Sequence, residues 1–255
     1  MSVQAPVARS RHDRTAYVRY ELLRITRNRR FFVFALGFPV VIYLLIALPN
    51  RNVHDFLGTG LPATLYYMVS LTAFGTMSAM LSTGTRIAAE RDTGWNRLLR
   101  TTPLPPRTYL TAKVATAYLA ALLTIVLLDI VGVALGVRLP AGEWLAMTGL
   151  ILIGLIPFAG LGVLLGHLLT GDTIAPVVGG LTAVLAFLGG TWFPVGHGAF
   201  YQFARLLPSY WLVQASHVAL GGAGWSALGW AVVAAWSLVL GVLAGRAYLR
   251  DTRRS

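Results

Sequence analysis

The sequence predicts an all-α membrane protein. It would have six transmembrane helices, an N-terminal interfacial amphipathic helix, a short cytoplasmic helix after span two, and short outward-facing helices between spans five and six. Three observations carry this prediction. Of 255 residues, 56% are apolar and only 12% charged, about half the charged share of a soluble domain, too few to cover a water-exposed surface. Six stretches each supply the roughly 20 helical residues needed to cross a hydrocarbon core of about 30 Å. The basic residues also sort to one side of those six stretches, as the positive-inside rule requires.

Span one is Phe31 to Pro49 and carries no charge. Span two runs about Leu61 to Ser82, span three about Leu110 to Val137, and span four about Trp144 to Leu169. Span five is Thr173 to Pro194 and span six about Ser226 to Leu249. Within them only Lys113, Asp129 and, three residues from the end of span six, Arg246 carry formal charge. Residues 1–30 form a cytoplasmic basic tail with the amphipathic helix, and 31–255 form the six-span transmembrane domain.

An even number of spans puts both termini on one face. Eight arginines lie between Arg9 and Arg30, and the Arg86–Lys113 region adds six basic residues. The C-terminus adds Arg246, Arg250, Arg253 and Arg254. That is 18 of the 21 basic residues, leaving Arg51, Arg138 and Arg205 for the opposite face. Both termini are therefore expected in the cytoplasm. The net charge of +12 would suggest nucleic acid in a soluble domain; here it sets membrane orientation, and the expected environment is the lipid bilayer. The N-terminus lacks the short charged region and small-residue cleavage site of a secretory signal, so the mature chain is expected to keep it, with an Arg-rich organellar transit peptide as the alternative.

Between Tyr17 and Arg30, Val18, Leu22 and Ile25 recur at helical spacing, with Arg24, Arg27 and Arg30 on another arc. Such a basic helix lies in the interface plane, apolar side toward acyl chains; a plain positive anchor is the alternative. Pro39, Pro157 and Pro176 interrupt spans one, four and five, which membrane helices tolerate where neighbours satisfy the freed carbonyl. The pairs Gly132/Gly136, Gly162/Gly166 and Gly241/Gly245 permit close helix approach, within one chain or between two. Between spans four and five, Gly171 is expected to end the earlier helix and Asp172 or Thr173 to cap the later one.

Two segments do not fit a plain bundle. Arg86 to Arg107 has charge at one end, an apolar cluster of Trp95, Leu98 and Leu99, and a proline stop. It reads either as a short helix parallel to the membrane or as a solvated positive loop. From Gly189 to Gly224 the chain is aromatic but broken by Gly, Pro and Arg205, which fits short interfacial or re-entrant helices at the outer headgroup level.

These two segments resemble the integral-membrane permease of ABC-2 type transporters. In that family the first cytoplasmic loop carries an acidic–basic pair, a Gly, a leucine pair and a Thr-Pro; here those are Glu90, Arg91, Gly94, Leu98, Leu99, Thr102 and Pro103. The residue after the glycine is Trp95, where the family commonly has Thr. The family's second mark is a Gly, an aromatic pair and Pro closing span five, then a short helix and another Pro. Gly190, Trp192, Phe193, Pro194 and Pro208 match it. The resemblance implies a half-transporter: two permeases pair, as a homodimer or with a similar permease, and each engages a separate cytoplasmic ABC ATPase in a plasma membrane, of bacterial type. It further implies that Glu90 to Arg100 is the coupling helix, with Trp95 in its contact surface, and that Trp192, Phe193, Pro194 and Pro208 form an outer gate or re-entrant element.

The chain lacks a G-x-x-x-x-G-K-[ST] phosphate loop, because its single lysine, Lys113, follows Thr111-Ala112. ATP and Mg are therefore expected on the partner, and no cofactor on this chain. The five histidines (His12, His54, His167, His197, His217) lack the i, i+4 spacing of a zinc helix, and no G-x-S-x-G motif is present. An absent cysteine excludes disulfides and thiolate chemistry. Asp129 lies 16 residues beyond Lys113, about 24 Å along a helix. An intramembrane carboxylate is a functional candidate, so Asp129 is read either as lining a substrate path or as structural, hydrogen-bonded or within reach of Arg138. The expected function is export of an apolar or amphipathic compound (drug, antibiotic or lipid-like) driven by the partner ATPase. The rival is a partner-free secondary carrier taking protons through Asp129; an intramembrane enzyme is the weaker third class.

Overall fold

The computed structural model describes residues 37–94, 106–196, 198–220 and 224–254. The expected interfacial helix at 17–30, and Trp95, Leu98, Leu99, Thr102 and Pro103 of the coupling segment, lie outside the described residues.

Among the described residues the chain is helical, without strands. The helices are α1 (Phe38–Ala47), α2 (Ala63–Asp92), α3 (Pro106–Ala134), α4 (Ala141–Gly154) and α5 (Ile156–Leu168). They are followed by α6 (Gly171–Leu188), α7 (Ala199–Ala204), α8 (Pro208–Gln214), a 3₁₀ turn (Ala215–Leu220) and α9 (Ala227–Arg254). Four segments are long and apolar enough to cross a membrane: Thr108–Ala134, Ala141–Leu168 through α4 and α5, Gly171–Leu188 and Ala227–Asp251.

Two of the six expected spans do not meet that measure, for different reasons. The described part of span one, Phe38–Ala47, has only ten residues. Helix α2, with 30 residues, reaches about 45 Å but is more polar. It packs against α1, α3, α5 and α6, so most of its surface never meets lipid and need not be apolar. Its Thr72 and Thr76 hydroxyls donate to the carbonyls of Met68 and Thr72 one turn back, at 2.7 Å each, which satisfies them without a partner helix.

The α2–α5 crossing depends on glycine. A Cβ on Gly84 would lie 2.5 Å from the Gly162 carbonyl oxygen, and one on Gly162 would lie 2.6 Å from that of Met80. Gly162 and Gly166 thus serve close packing within the chain. Gly245, by contrast, has nothing within 4 Å of where a methyl group would sit, so the Gly241/Gly245 spacing does not mark an equally tight contact. At the α4–α5 junction Pro157 sits in the first turn of α5, and the Tyr118 hydroxyl donates to the Leu152 carbonyl at 3.2 Å, supplying a neighbour's donor beside the break.

Three sequence expectations are corrected. Span five stops at Leu188, six residues before the expected Pro194, because Gly189 caps the helix and Gly190 turns left-handed at φ +83. The α5–α6 connection is capped by Thr170, in extended conformation, with Gly171 as the first residue of α6; Gly171 does not end α5, and neither Asp172 nor Thr173 is the cap. Finally, Arg86 to Asp92 continues α2 instead of beginning a separate segment.

Candidate functional site

Helix α2 ends where Gly94 takes the left-handed conformation at φ +73, its N–H bonded to the Arg91 carbonyl at 3.1 Å. The glycine of the motif therefore sets the point where α2 ends. The three residues Glu90, Arg91 and Asp92 just before it point to different neighbours.

Glu90 is 7% exposed and faces α3. Its Oε1 lies 2.6 Å from Lys113 Nζ, and its Oε2 accepts from the Tyr109 hydroxyl at 2.7 Å. Lys113 is itself 0% exposed, with the Tyr109 ring centroid 5.3 Å from its ammonium. A buried cation is retained only when paired and hydrogen-bonded, and Glu90 provides both.

Arg91 binds two helices. Its Nη1 donates to the carbonyls of Gly166 (2.9 Å) and Leu169 (3.3 Å) at the end of α5, placing positive charge where the helix dipole is negative. Its Nε and Nη2 meet the Asp251 carboxylate of α9 at 2.8 and 3.2 Å. Asp251 also accepts from His167 Nδ1 of α5 at 3.0 Å; a carboxylate cannot donate, so Nδ1 carries the proton.

Asp92 completes the set with the opposite sign. Its carboxylate accepts from the Gly171 N–H at 2.7 Å, putting negative charge at the α6 N-terminus, where it is favoured. A methyl group on Gly171 would collide with that carboxylate. In consequence, the last turn of α2 is tied to α3, α5, α6 and α9.

Of the expected coupling residues, the structure brings Glu90, Arg91 and Gly94 together. Glu90 faces inward, not toward an exterior partner. Tyr109, Lys113, His167, Gly171 and Asp251 were missed as members of this junction, as was Asp92. One signal was available: Lys113 is a formal charge inside an apolar span, and such a charge needs a partner.

At the opposite end of α2, the Tyr66 hydroxyl donates to the Gly190 carbonyl and the Tyr67 hydroxyl to that of Trp192 at 3.4 Å. Trp192 packs on Phe74, with ring centroids 5.8 Å apart. Phe193 is 65% exposed and Pro194 half-buried. Pro208 begins α8, whose residues Pro208 to Val213 are all buried. Gly189 lets α8 approach, since a Cβ there would lie 2.9 Å from the Ser209 backbone. The indoles hold this end: Trp211 Nε1 donates to the Arg205 carbonyl at 2.9 Å, and Trp225 Nε1 to that of Trp211 at 2.7 Å.

Asp129 lies in α3, half-buried. Among the described residues it makes no hydrogen bond or ion pair; Tyr43 is its electrostatic neighbour, and that hydroxyl donates to the Thr64 carbonyl at 3.0 Å. Arg138 instead donates to the carbonyls of Val133 and Val137.

The sequence pattern of the ABC-2 family transporter proteins matches residues 48–246. A protein of Bacillus subtilis (strain 168) named "Putative transport permease YvfS" is 33% identical over 196 residues, covering 74% of this chain and 78% of that protein.

Proposed function

The chain belongs to the ABC-2 family of transporter proteins, and from that membership we propose that it is the membrane permease of an ATP-driven exporter served by a separate cytoplasmic ATPase. As a member it is a multi-pass transport permease. The finer reading adds six spans, with the Glu90 end and both termini in the cytoplasm, in a bacterial plasma membrane. The distribution of basic residues supports this orientation.

The observation that carries the proposal is the junction at Glu90–Asp92. A segment docked on an ATPase would pull on its root, and that root is bonded to α3, α5, α6 and α9. Motion of the segment from Trp95 to Pro103 would reach four helices through short, charge-assisted bonds, the strongest polar contacts available. ATP and Mg belong to the partner, since the sequence has no phosphate loop. Pairing with a second permease is supported by α6, whose face bearing Pro176, Val177, Gly179 and Gly180 is exposed. The scarcity of charge within the spans favours an apolar or amphipathic substrate, with Asp129 and Tyr43 beside its path and the Trp192–Pro194 turn near its exit.

Affinity purification of the tagged full chain from its native membrane tests the proposal. An ABC ATPase should co-purify in stoichiometric amount, and ATP should drive transport in vesicles. A chain that recovers no ATPase, yet transports on a proton gradient alone, is instead the secondary carrier.

A further inference from the structure

A cleft of about 700 Å³ opens between α5 and α9 at the Glu90 end of the bundle. Two helical stripes face each other across it. On α9 the stripe is Leu243, Arg246, Ala247 and Arg250; on α5 it is Leu164, His167 and Leu168. The walls are apolar toward the bundle middle and basic toward the helix ends, with Arg91 and Asp251 bordering the basic part. Asp251 is already engaged by Arg91 and His167. Among the described residues, Arg246 and Arg250 make no hydrogen bond or ion pair, and both are exposed. With three arginines and one aspartate lining it, the cleft carries an uncompensated positive charge.

Depth in the membrane fits the same picture. Arg246 is 19 residues beyond Ala227, where α9 begins, or about 29 Å along the axis. That is about the thickness of a hydrocarbon core, so Arg246 and Arg250, one turn further on, stand at the headgroup layer. A second observation comes from α5. His167 Nε2 is buried and has no hydrogen-bond partner among the described residues, although its ring lines the cleft. With Nδ1 donating to Asp251, the neutral ring leaves Nε2 as an acceptor, so the missing group is a donor such as a hydroxyl.

We infer that the α5–α9 cleft binds the headgroup of an anionic phospholipid carrying hydroxyls, of the phosphatidylglycerol type. The phosphate lies between Arg246 and Arg250, a headgroup hydroxyl donates to His167 Nε2, and an acyl chain follows Leu164, Leu168 and Leu243. The inference rests on the chain being embedded in a membrane with this end at the headgroup layer. It does not depend on ATP or on the transported compound. A lipid held here bridges α5 and α9 beside Arg91, and so braces the junction from outside.

The test is native mass spectrometry of the delipidated full chain in neutral detergent, titrated with phosphatidylglycerol or phosphatidylcholine. One phosphatidylglycerol adduct should saturate, phosphatidylcholine should not compete for it, and R246Q/R250Q should weaken it about thirty-fold. R246K/R250K should keep the phosphate contact and lose far less. If the glutamine variant does not fold by circular dichroism, the lysine variant and the two-lipid comparison still decide. Equal occupancy by both lipids overturns the inference, as does a glutamine variant that binds normally. Displacement by glycerol 1-phosphate at the affinity of the lipid would make this a soluble-phosphate site and overturn the lipid assignment. Unchanged lipid binding with loss of the co-purifying ATPase would assign the arginines to that partner instead.

Discussion

Lys113 Nζ lies 2.6 Å from Glu90 Oε1, both groups buried, so the chain's single lysine holds the end of α2 against α3. The pair joins the residue expected to begin the coupling segment to a helix that crosses the bundle. Breaking a buried ion pair from one side leaves an uncompensated charge, costing about 3–5 kcal/mol. Glu90→Gln and Lys113→Met should each lower the thermal stability of the detergent-purified protein by that order. Combining them should recover most of the loss, because neither charge is then left alone. If the single variants melt like the wild type, the pair does not hold the junction.

Gly171 and Gly179 should respond in opposite directions to alanine, although both lie in α6. Gly171→Ala forces the Asp92 carboxylate off the helix end, losing a charge-assisted bond of about 1.5–3 kcal/mol. Within the single chain Gly179 has nothing within 4 Å of an added methyl, so in detergent-dispersed monomer Gly→Ala in this helix interior gains about 0.5–1 kcal/mol. Paired melting curves check this, and equal shifts would contradict the Asp92 cap.

Asp129→Asn addresses the substrate path. The carboxylate has no bonded partner among the described residues, so the change should leave stability nearly unaltered. Transport should fall about tenfold if the charge meets a polar part of the substrate, the equivalent of one charged hydrogen bond. Unchanged ATP-driven flux in vesicles would remove Asp129 from the path.

His217, in the 3₁₀ turn between the α8 and α9 segments, has its pKa lowered below the usual histidine value, mainly by burial and partly offset by a hydrogen bond with the Gln214 backbone. Folding then favours the neutral ring, while the unfolded chain takes up a proton near pH 6.5. The stability tied to this group is full above about pH 6.5 and declines as pH falls toward the folded value. His217→Gln should shrink the drop in melting temperature between pH 7.5 and 5.5. An identical drop in both proteins would show that His217 does not contribute.

How much of this was legible in the sequence differs by residue. Apolar length alone gave the helices from Thr108 to Ala134 and from Ala227 to Asp251, because a helix facing lipid must be apolar along its length. It was a weaker guide to α2, whose surroundings are protein and whose threonines bond to their own backbone. Gly190 was noticed as part of a motif, but its positive φ, which ends α6 early, is not written in hydropathy. The junction was half legible. Glu90 and Arg91 stood out as a charged pair, whereas the partners of this turn, Tyr109, Lys113, Gly171 and Asp251, are 19 to 160 residues away in sequence. Only the fold brings opposite helix ends to one turn of α2.

The most direct measurement uses the absence of native cysteine. A single Trp95→Cys or Leu98→Cys variant, labelled with a photocrosslinker in native membranes, reports what the segment after Gly94 touches. A crosslink to an ABC ATPase is expected, with a yield that changes when ATP is added, and Glu90→Gln should keep the crosslink but lose ATP-driven transport. No ATPase adduct from either position, in membranes where transport is intact, would contradict a coupling segment rooted at Glu90.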